Sequence, residues 1–555
     1  MTLLSATVSA APDTDLRFGQ VRIVTNSIFS PDEVENAAGP VGLMRRVMNG
    51  LHVDTRERVL RRELLFAPGD VYDAALLEET ARNLRSLGYL NSIEVVAVDT
   101  TAAGEVDVLV TTRESWTLTT SFGYSLASGG DQRWNVKFAE RNFLGYGVTV
   151  GAGVGADEDR DWWNLWYRKR RLFDRALWFG LDWSETGDGH VRSVFLSRPL
   201  FALDDARGVD ASAWDVEAEP RWYLSNGGEA GADPAAEASL YSRLPRREKG
   251  AELRSLWRTS ERGRGRIWRL GGGAKVTETT WSPGPDQVLS DGRTADLQWL
   301  ADPGGPMARE QGIEVFPFAW LQTVGRRWTE ARFVLQYGPV EDLPLDGTFD
   351  LKVGPGGGVL GSTNAGGAAS LRVEGVAEKW LRLGRSFTLL RMTGVAQAGS
   401  DPVRTHRLEA LGAWIGQAGG ADTPWITRAY LEAAHGSALV GDRALVLGLD
   451  RGLRTLDFDG MAGDRLVRWN LEQGKVSPWE VLGLFRLGGA VFYDGGCAWW
   501  NDEARDLGDA RHEAGFGVRL GPTRSANTQV ARIDLTWALD GSSGPVLTAI
   551  TRGLF

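Results

Sequence analysis

The amino-acid sequence predicts a mainly β protein, in which a small α+β domain is followed by a transmembrane antiparallel β-barrel of about 16 strands. From Trp116 to the last residue, apolar and polar residues alternate with the period of two that is typical of strands. Short turns alternate with long polar connections, many strands carry Trp or Tyr near an end, and the chain ends in Phe555. These three observations together indicate a barrel of the outer-membrane type.

The composition argues against several classes of protein. A formal net charge of −10 argues against a nucleic-acid-binding protein, which normally has a basic face. Cys497 is the single cysteine, so neither an internal disulfide nor a cysteine-ligated metal cluster can form. No apolar run approaches the ~18 residues of a transmembrane helix, whereas a barrel turns only alternate residues to lipid and keeps its mean hydropathy low.

Residues 1–16 are predicted to be a signal-peptide remnant or a flexible tail. Ser9-Ala10-Ala11 is typical of a small-residue cleavage site, but the preceding apolar stretch is short and a basic first region is absent. The two interpretations are equally consistent with these residues.

Residues 17–115 have the mixed pattern of a small α+β domain. Apolar residues at three- and four-residue spacing predict two helices, one capped by Asp54 or Thr55 and one capped by Asp73. A strand precedes the helices and two strands follow them, joined by a hairpin loop at 101–104. The predicted order is therefore β-α-α-β-β.

Residues 116–555 are predicted to form the barrel. Sixteen strands of ~9–13 residues would need roughly 150–210 residues, and the rest would fill the connections. The longest polar connections are expected at about 203–236, 281–312 and 499–512. Fourteen or eighteen strands would also fit this length.

Short motifs in both halves occur in the order of a known family. The first half contains Gly69-Asp70, Arg82-Asn83-Leu84-Arg85 and Leu87-Gly88-Tyr89-Leu90, and the second half contains Glu140–Gly147, Gly452-Leu453-Arg454, Asn470-Leu471-Glu472, Phe492–Gly496, Gly515–Arg519 and Arg532–Leu535. The chain thereby resembles bacterial surface antigen proteins of the BamA/TamA type, which have periplasmic POTRA domains and a sixteen-stranded outer-membrane barrel. The resemblance implies one POTRA-like domain here, in the periplasm.

The same resemblance implies a structural and functional salt bridge in the lumen. It places Arg454 on an inward-folded loop, facing Glu472 and Asp494 on neighbouring strands. A guanidinium away from bulk water needs carboxylates, and such a contact would fix the loop. The sequence departs from the family pattern after the arginine, where Thr455-Leu456 replaces Gly and an aromatic residue. From the residues alone, three unrelated solvated charges would be the simpler interpretation.

Motifs for catalysis or cofactor binding are absent from the sequence. The five histidines form no close pair and no H-E-x-x-H motif, and there is no G-x-S-x-G nucleophile elbow. We therefore expect a protein that is not an enzyme and that needs no cofactor and no metal.

The resemblance implies that the protein assists the insertion of other proteins into the outer membrane. Unfolded or secreted client proteins and outer-membrane lipid are the expected partners. An accessory protein of the periplasm or inner membrane is a further possible partner, and nucleic acid is not expected to bind. Clients would add strands to an exposed edge of the POTRA-like domain, for which a rigid spacer is the alternative role, and to a weak barrel seam.

The seam would join a first strand that starts near Trp116 to a last strand that runs from about Pro545 to Phe555. Along that last strand, Leu547, Ala549, Thr551, Gly553 and Phe555 are predicted to face lipid, which leaves Arg552 to the lumen. Three alternatives stay open at this point. The fold could export a partner protein through the lumen, it could serve as a passive pore or structural barrel, or the chain could be a soluble all-β protein.

Overall fold

The computed structural model describes residues 16–552, except 38, 127–129, 131, 225–239, 291, 303–304, 306, 308–309, 357–369, 400–404, 438, 440, 450, 457–459, 527–528 and 542–543. Within this part of the chain, no helix is long and apolar enough to cross a membrane. The chain divides into two compact units. Of the described residues, the first unit contains those up to Trp116 together with Leu144–Gly147, and the second contains the others.

The first unit is an α+β domain with a three-stranded sheet. Its elements are β1 Arg17–Asn26, α1 Pro31–Glu35, α2 Gly39–Leu51, α3 Glu57–Arg61, α4 Ala74–Arg85, β2 Leu90–Thr100 and β3 Glu105–Glu114. The strand order is β1-β3-β2, with β1 parallel and β2 antiparallel to β3. Phe18, Leu60, Leu84 and Val110 are buried between helices and sheet, and burial of such side chains stabilises a domain by about 1.5–3 kcal/mol each.

The helices of this unit differ from the predicted pair. Asp73 caps α4 as predicted, accepting a hydrogen bond from the Ala75 N–H. The expected cap of the preceding helix is wrong, because α3 begins after Arg56, which makes no side-chain cap, and Thr55 instead donates to Glu114. The sequence analysis does not predict the helices α1 and α2, and α2 contains three glycines and a proline, which lower its helix propensity.

The second unit is a closed antiparallel β-barrel of 20 strands, so the predicted fold class is confirmed and the predicted number of 16 strands is wrong. The barrel strands are β4 Leu118–Leu126, β5 Gln132–Glu140, β6 Val148–Ala156, β7 Asp161–Lys169, β8 Trp178–Thr186, β9 Gly189–Arg198, β10 Arg207–Ala218, β13 Arg246–Arg258, β14 Ile267–Trp281, β17 Gly312–Val324, β20 Thr348–Gly356, β21 Ser370–Leu383, β22 Ser386–Gly399, β23 Thr405–Gly419, β24 Pro424–Ser437, β27 Arg465–Val481, β28 Phe485–Trp499, β29 Arg511–Pro522, β30 Val530–Ala538 and β31 Val546–Arg552.

One strand that the sequence analysis does not predict explains part of the difference between 16 and 20 strands. The segment 203–236, interpreted from its polar residues as a connection, contains the whole of β10, which pairs with β9 and β13 along its length. Asp210, Ser212 and Asp215 give β10 the composition of a loop. The other two long connections, at about 281–312 and 499–512, lie where the sequence predicts them.

The remaining short elements lie in the connections. Four two-stranded ribbons are formed by β11 Arg221–Tyr223 with β12 Tyr241–Arg243, β15 Gln287–Val288 with β16 Thr294–Ala295, β18 Trp328–Ala331 with β19 Glu341–Pro344, and β25 Leu445–Leu447 with β26 Met461–Gly463. Single 3₁₀ turns occupy Phe143–Gly145, Leu172–Asp174, Gln298–Leu300, Gly441–Arg443 and Leu507–Asp509.

The outer surface of the barrel is an apolar belt. On β7, for example, Trp163 and Leu165 are exposed, and Leu253, Val491 and Phe516 are exposed on other strands. Charged side chains lie on the opposite, lumenal face, as the Arg168–Asp182 ion pair does. This alternation is the one that lipid outside a barrel and polar space inside it require.

The purified protein is therefore expected to be heat-modifiable. A closed barrel leaves no strand edge for SDS to attack, so an unboiled sample should migrate faster on a gel than a boiled one. Co-migration of the two samples, together with solubility without detergent, would contradict the barrel.

Among the described residues, two connections fold into the lumen, one from each end of the barrel. We call the end at which β4 begins the proximal end and the other end the distal end. The proximal insert is the connection between β17 and β20, residues 325–347, which carries β18 and β19. The distal insert is the connection between β24 and β27, residues 438–464, which carries β25 and β26.

The proximal insert packs into an apolar cluster inside the barrel. The insert contributes Ala331 together with four side chains that are at most 3% exposed, namely Phe333, Val334, Tyr337 and Leu343. The wall of the barrel contributes lumen-facing side chains from six strands, namely Trp380, Phe387, Leu389, Ala413, Ile415, Ile426, Tyr430, Val476 and Val530. The distal insert packs similarly, with Leu445, Leu447, Leu453, Leu456 and Met461 against Ala434, Leu466, Cys497 and Ala498. The lumen is thus occupied by protein from both ends.

Candidate functional site

Five neighbouring strands direct charged side chains to one region of the lumen. Six charged side chains take part, and each is at most 5% exposed. These side chains are Arg428 on β24, Glu472 on β27, Asp494 on β28, Glu513 and Arg519 on β29, and Asp534 on β30. The strand register brings them together, because Arg428 lies opposite Glu472 and Asp494 lies opposite Glu513. These six residues and Arg454 form what we call the lumen charge cluster.

Glu472 is held by two arginines. It accepts hydrogen bonds from Arg428 Nη1 at 2.7 Å and from Arg519 Nη2 at 2.8 Å. Arg519 also forms an ion pair with Asp534, so one buried guanidinium connects two carboxylates. Buried charges are tolerated only when they are paired and hydrogen-bonded, and this arrangement supplies both conditions.

Arg454 brings the distal insert onto the same cluster. Its guanidinium forms an ion pair with Asp494, lies 3.4 Å from Asp534 through Nε, and stacks 4.1 Å over the Phe492 ring. Its backbone N–H donates to Glu513 at 2.8 Å, as do the N–H and the hydroxyl of Thr455. The insert is therefore fixed through both its side chains and its backbone.

The predicted set of three residues is brought together in part. Arg454 contacts Asp494 directly, whereas Glu472 pairs with Arg428 and Arg519 and is linked to Arg454 through Arg519 and Asp534. The sequence reasoning missed Arg428 and Glu513 entirely and gave Arg519 and Asp534 no role. The strand register was the signal that could have found Glu513, since it lies directly opposite Asp494.

The seam between the last and first strands is short within the part of the chain that the structure describes. The described parts of β31 and β4 share three residue pairs, Thr548 with Ser125, Ala549 with Tyr124 and Ile550 with Gly123. Every other pair of neighbouring barrel strands shares between six and fourteen. The hydroxyl of Thr551 also donates to the carbonyl of Phe122, at 2.9 Å across the seam.

The residues predicted at the seam have different placements. Trp116 lies before β4 and outside the three pairs, because β4 begins at Leu118. Gly553 and Phe555 lie outside the described residues. Leu547 is exposed and Thr548 is buried, as the predicted faces of the last strand require.

One group in the first unit has the composition of a metal site. His52, Asp54 and Glu114 bring one potential ligand atom each within 4.8 Å of one another. Both oxygens of Glu114 are already occupied, because one accepts the Thr55 N–H at 2.9 Å and the other accepts its hydroxyl at 3.0 Å and lies 3.2 Å from His52 Nε2. The arrangement is sufficiently explained as the anchor between β3 and the start of α3.

Comparison with known proteins agrees with this architecture. Residues 47–115 match the POTRA family, described as surface antigen variable number repeat. A Treponema pallidum (strain Nichols) protein, provisionally described as an outer membrane protein assembly factor, is 27% identical over 140 residues, which are 24% of this chain and 16% of that protein. The chain thus spans about a sixth of the length of this curated relative.

Two solved barrels are similar to the chain in outline. BamA from Haemophilus ducreyi lacking POTRA domains 1–3 aligns with a TM-score of 0.38 and 13% identity, over 97% of this chain and 85% of that one. CdiB from Escherichia coli aligns with a TM-score of 0.43 and 12% identity, over 100% of this chain and 93% of that one.

A POTRA domain followed by a closed barrel with an apolar outer belt defines an outer-membrane protein whose POTRA domain is periplasmic. The chain is similar to outer-membrane proteins of the BamA/TamA type. Because the POTRA domain precedes β4, the proximal end of the barrel faces the periplasm and the distal end faces the exterior.

Proposed function

We propose that this protein assists the insertion of other proteins into the outer membrane, and that the seam between β31 and β4 is where it acts. The observation that carries the proposal is the three-pair register of the seam. Each backbone hydrogen bond contributes a net ~0.5–1.5 kcal/mol. Over the described residues, a seam of three pairs would therefore open at less cost than any other junction in the wall. The description of the Treponema relative as an assembly factor supports the same role.

An open seam would present a strand edge at membrane depth. Unpaired backbone groups in lipid cost several kcal/mol each, so an edge there is strongly driven to pair with a new strand. A client strand would satisfy that edge by β-augmentation, and the client's own folding would supply the driving force. The roles of Arg454, Glu472 and Asp494 in this scheme are to hold the distal insert while the wall beside it opens.

Export through the lumen and passive conduction are the competing functions. Both require an open path along the barrel axis, whereas the described parts of two inserts occupy the lumen from opposite ends. Lateral opening requires only the seam to part. The filled lumen therefore favours insertion at the wall over transport through the centre.

A disulfide across the seam tests this mechanism. Tyr124 and Ala549 are directly paired, and the ~4.5–5.5 Å between paired Cα atoms suits a disulfide. In a Cys497→Ala background, Tyr124→Cys with Ala549→Cys should lose most of its stimulation of client folding when oxidised and regain it when reduced. The measurement is the heat-modifiable fraction of an unfolded eight-stranded client added to liposomes that contain the protein.

The control shares one of the two cysteines. Ile533 on β30 is paired with the same Ala549, so Ile533→Cys with Ala549→Cys places the same bond one junction away and leaves the seam free. This variant should stimulate client folding equally in both redox states. If the oxidised seam variant works as well as the reduced one, the proposed function is wrong and export through the lumen moves ahead.

A further inference from the structure

The tip of the proximal insert, which is the turn 332–340 between β18 and β19, lies directly against two strands that carry the lumen charge cluster. A Cβ atom on Gly521 of β29 would lie 1.8 Å from the Tyr337 Cβ, and one on Gly488 of β28 would lie 3.0 Å from the Tyr337 ring. The two glycines therefore form the surface on which Tyr337 packs. The insert crosses from its roots on β17 and β20 to the opposite part of the wall.

The tip is a preformed turn. Glu341 accepts the backbone N–H groups of Val334, Leu335 and Gln336 at 3.1, 2.7 and 3.1 Å. Burial raises the pKa of the Glu341 carboxyl to about 7, against these three donors and the charge of Arg428, which lower it. These three hydrogen bonds to Glu341 are internal to the insert, so they would remain if the tip left the wall.

The backbone at Phe333 adds strain to the docked tip. Phe333 has a φ of +60°, in the left-handed region that a bulky residue rarely adopts, and its ring is nevertheless buried in the apolar cluster. Such strain persists only where surrounding contacts hold it, and here the buried ring supplies them.

Arg428 connects the proximal insert to the charge cluster. Its guanidinium lies 6.0 Å from the centre of the Tyr337 ring on one side and donates to Glu472 on the other. The side chain is 2% exposed, yet its Nε and Nη2 have no hydrogen-bond partner. Buried guanidinium donors without partners are costly, so the position of Arg428 depends on what packs against it.

A continuous series of contacts thus joins the two inserts. It runs from Tyr337 to Arg428, then through Glu472, Arg519 and Asp534 to Arg454 on the distal insert. If the proximal insert left, water would reach the unpartnered donors of Arg428 and weaken its hold on Glu472. If Arg454 left, Asp534 would lose a neighbouring cation and would compete more strongly for Arg519.

We propose that the proximal insert is a displaceable gate on the periplasmic side, and that its docking is coupled through Arg428 to the seating of the distal insert on the exterior side. Each insert stabilises the other, so loosening one loosens both. The coupling is a property of the barrel itself and does not depend on what the protein does to a client.

The test measures how well the proximal insert protects a buried cysteine. Val334 is fully buried, so Val334→Cys in the Cys497→Ala background should react slowly with a water-soluble maleimide in detergent. Arg428→Gln and Arg454→Gln should each raise the labelling rate at least tenfold, which corresponds to about 1.4 kcal/mol of coupling. Arg454 is the informative position, because it lies on the distal insert.

Arg168→Gln is the matched control. Arg168 is also a lumenal arginine, and it makes two hydrogen bonds to Asp182, at 2.6 and 2.8 Å. It lies on β7, which is distant from the strands that carry both inserts in the order of strands around the barrel. Its loss should leave the labelling of Val334→Cys unchanged. If Arg454→Gln disturbs heat-modifiability, Thr455→Ala is the milder variant, since it removes one hydrogen bond to Glu513 and should act in the same direction by a smaller factor.

Coupling between two sites must be reciprocal, so a second experiment measures it in the opposite direction. Leu453 of the distal insert is 1% exposed, so Leu453→Cys reports on that insert from the exterior side. Tyr337→Ala should raise its labelling rate by a factor similar to that measured in the other direction. The proposal is overturned if Arg454→Gln and Thr455→Ala leave Val334→Cys protected, or if Tyr337→Ala leaves Leu453→Cys protected.

Discussion

Replacing Arg519 with alanine is expected to lower the free energy of unfolding of the barrel by about 3–5 kcal/mol. Arg519 is completely buried and pairs with both Glu472 and Asp534. Its removal would leave two buried carboxylates with less compensation, and breaking a buried pair from one side costs about this much. Lysine should restore little, because a single ammonium cannot present the guanidinium fork to both carboxylates.

Urea titration of the heat-modifiable fraction in liposomes would measure the effect. Arg168→Ala is the comparison, because the side chains of Arg168 and Asp182 are 29% and 39% exposed and ion pairs in that setting contribute at most ~1 kcal/mol. Equal losses for the two variants would mean that water reaches the charge cluster freely. In that case the cluster would not hold the distal insert.

Replacing Gly521 with alanine is expected to undock the proximal insert. The added Cβ would lie 1.8 Å from the Tyr337 Cβ, with backbone on one side and a packed ring on the other. The conflict is resolved only if Tyr337 leaves its place, and losing a buried aromatic side chain costs ~3–5 kcal/mol. Maleimide labelling of Val334→Cys would report the displacement, because that side chain is buried in the cluster that the docked tip forms with the wall.

Gly489→Ala on β28 provides the matched control. A Cβ at Gly489 would meet nothing closer than the Gly517 carbonyl oxygen at 3.9 Å, an ordinary van der Waals contact. The same chemical change should therefore leave the insert docked and the labelling slow. Rapid labelling in both variants would attribute the effect to strand flexibility and not to the contact with Tyr337.

The barrel could be predicted because its signal is repeated along the chain. Each strand is set by local alternation, and twenty imperfect repeats still indicate one architecture. The number of strands could not be predicted, since a polar strand such as β10 has the composition of a loop. Only its pairing with β9 and β13 identifies it as a strand. The helix α2 was missed for the opposite reason, because its context imposes a helix on a sequence with poor helical propensity.

The candidate site was predictable only where family motifs carried it. Arg454 and Asp494 do meet, but Arg428 and Arg519 are separated by 91 positions along the chain and share Glu472 only because three junctions of the wall are in register. The proximal insert left no local signature. An apolar ribbon packed inside the lumen and a strand facing lipid use the same residue types. The sequence therefore does not show whether such residues pack against the lumenal wall or against lipid.

Twenty strands also set a problem of permeability. The girth of a barrel grows with its strand number, and cylinders of sixteen or more strands leave an aqueous channel unless something fills them. An empty cylinder of this size would let small solutes leak across a membrane whose purpose is to exclude them. While both inserts are docked, their described residues fill this cylinder from its two ends, so the wall can part at one junction while the centre stays closed.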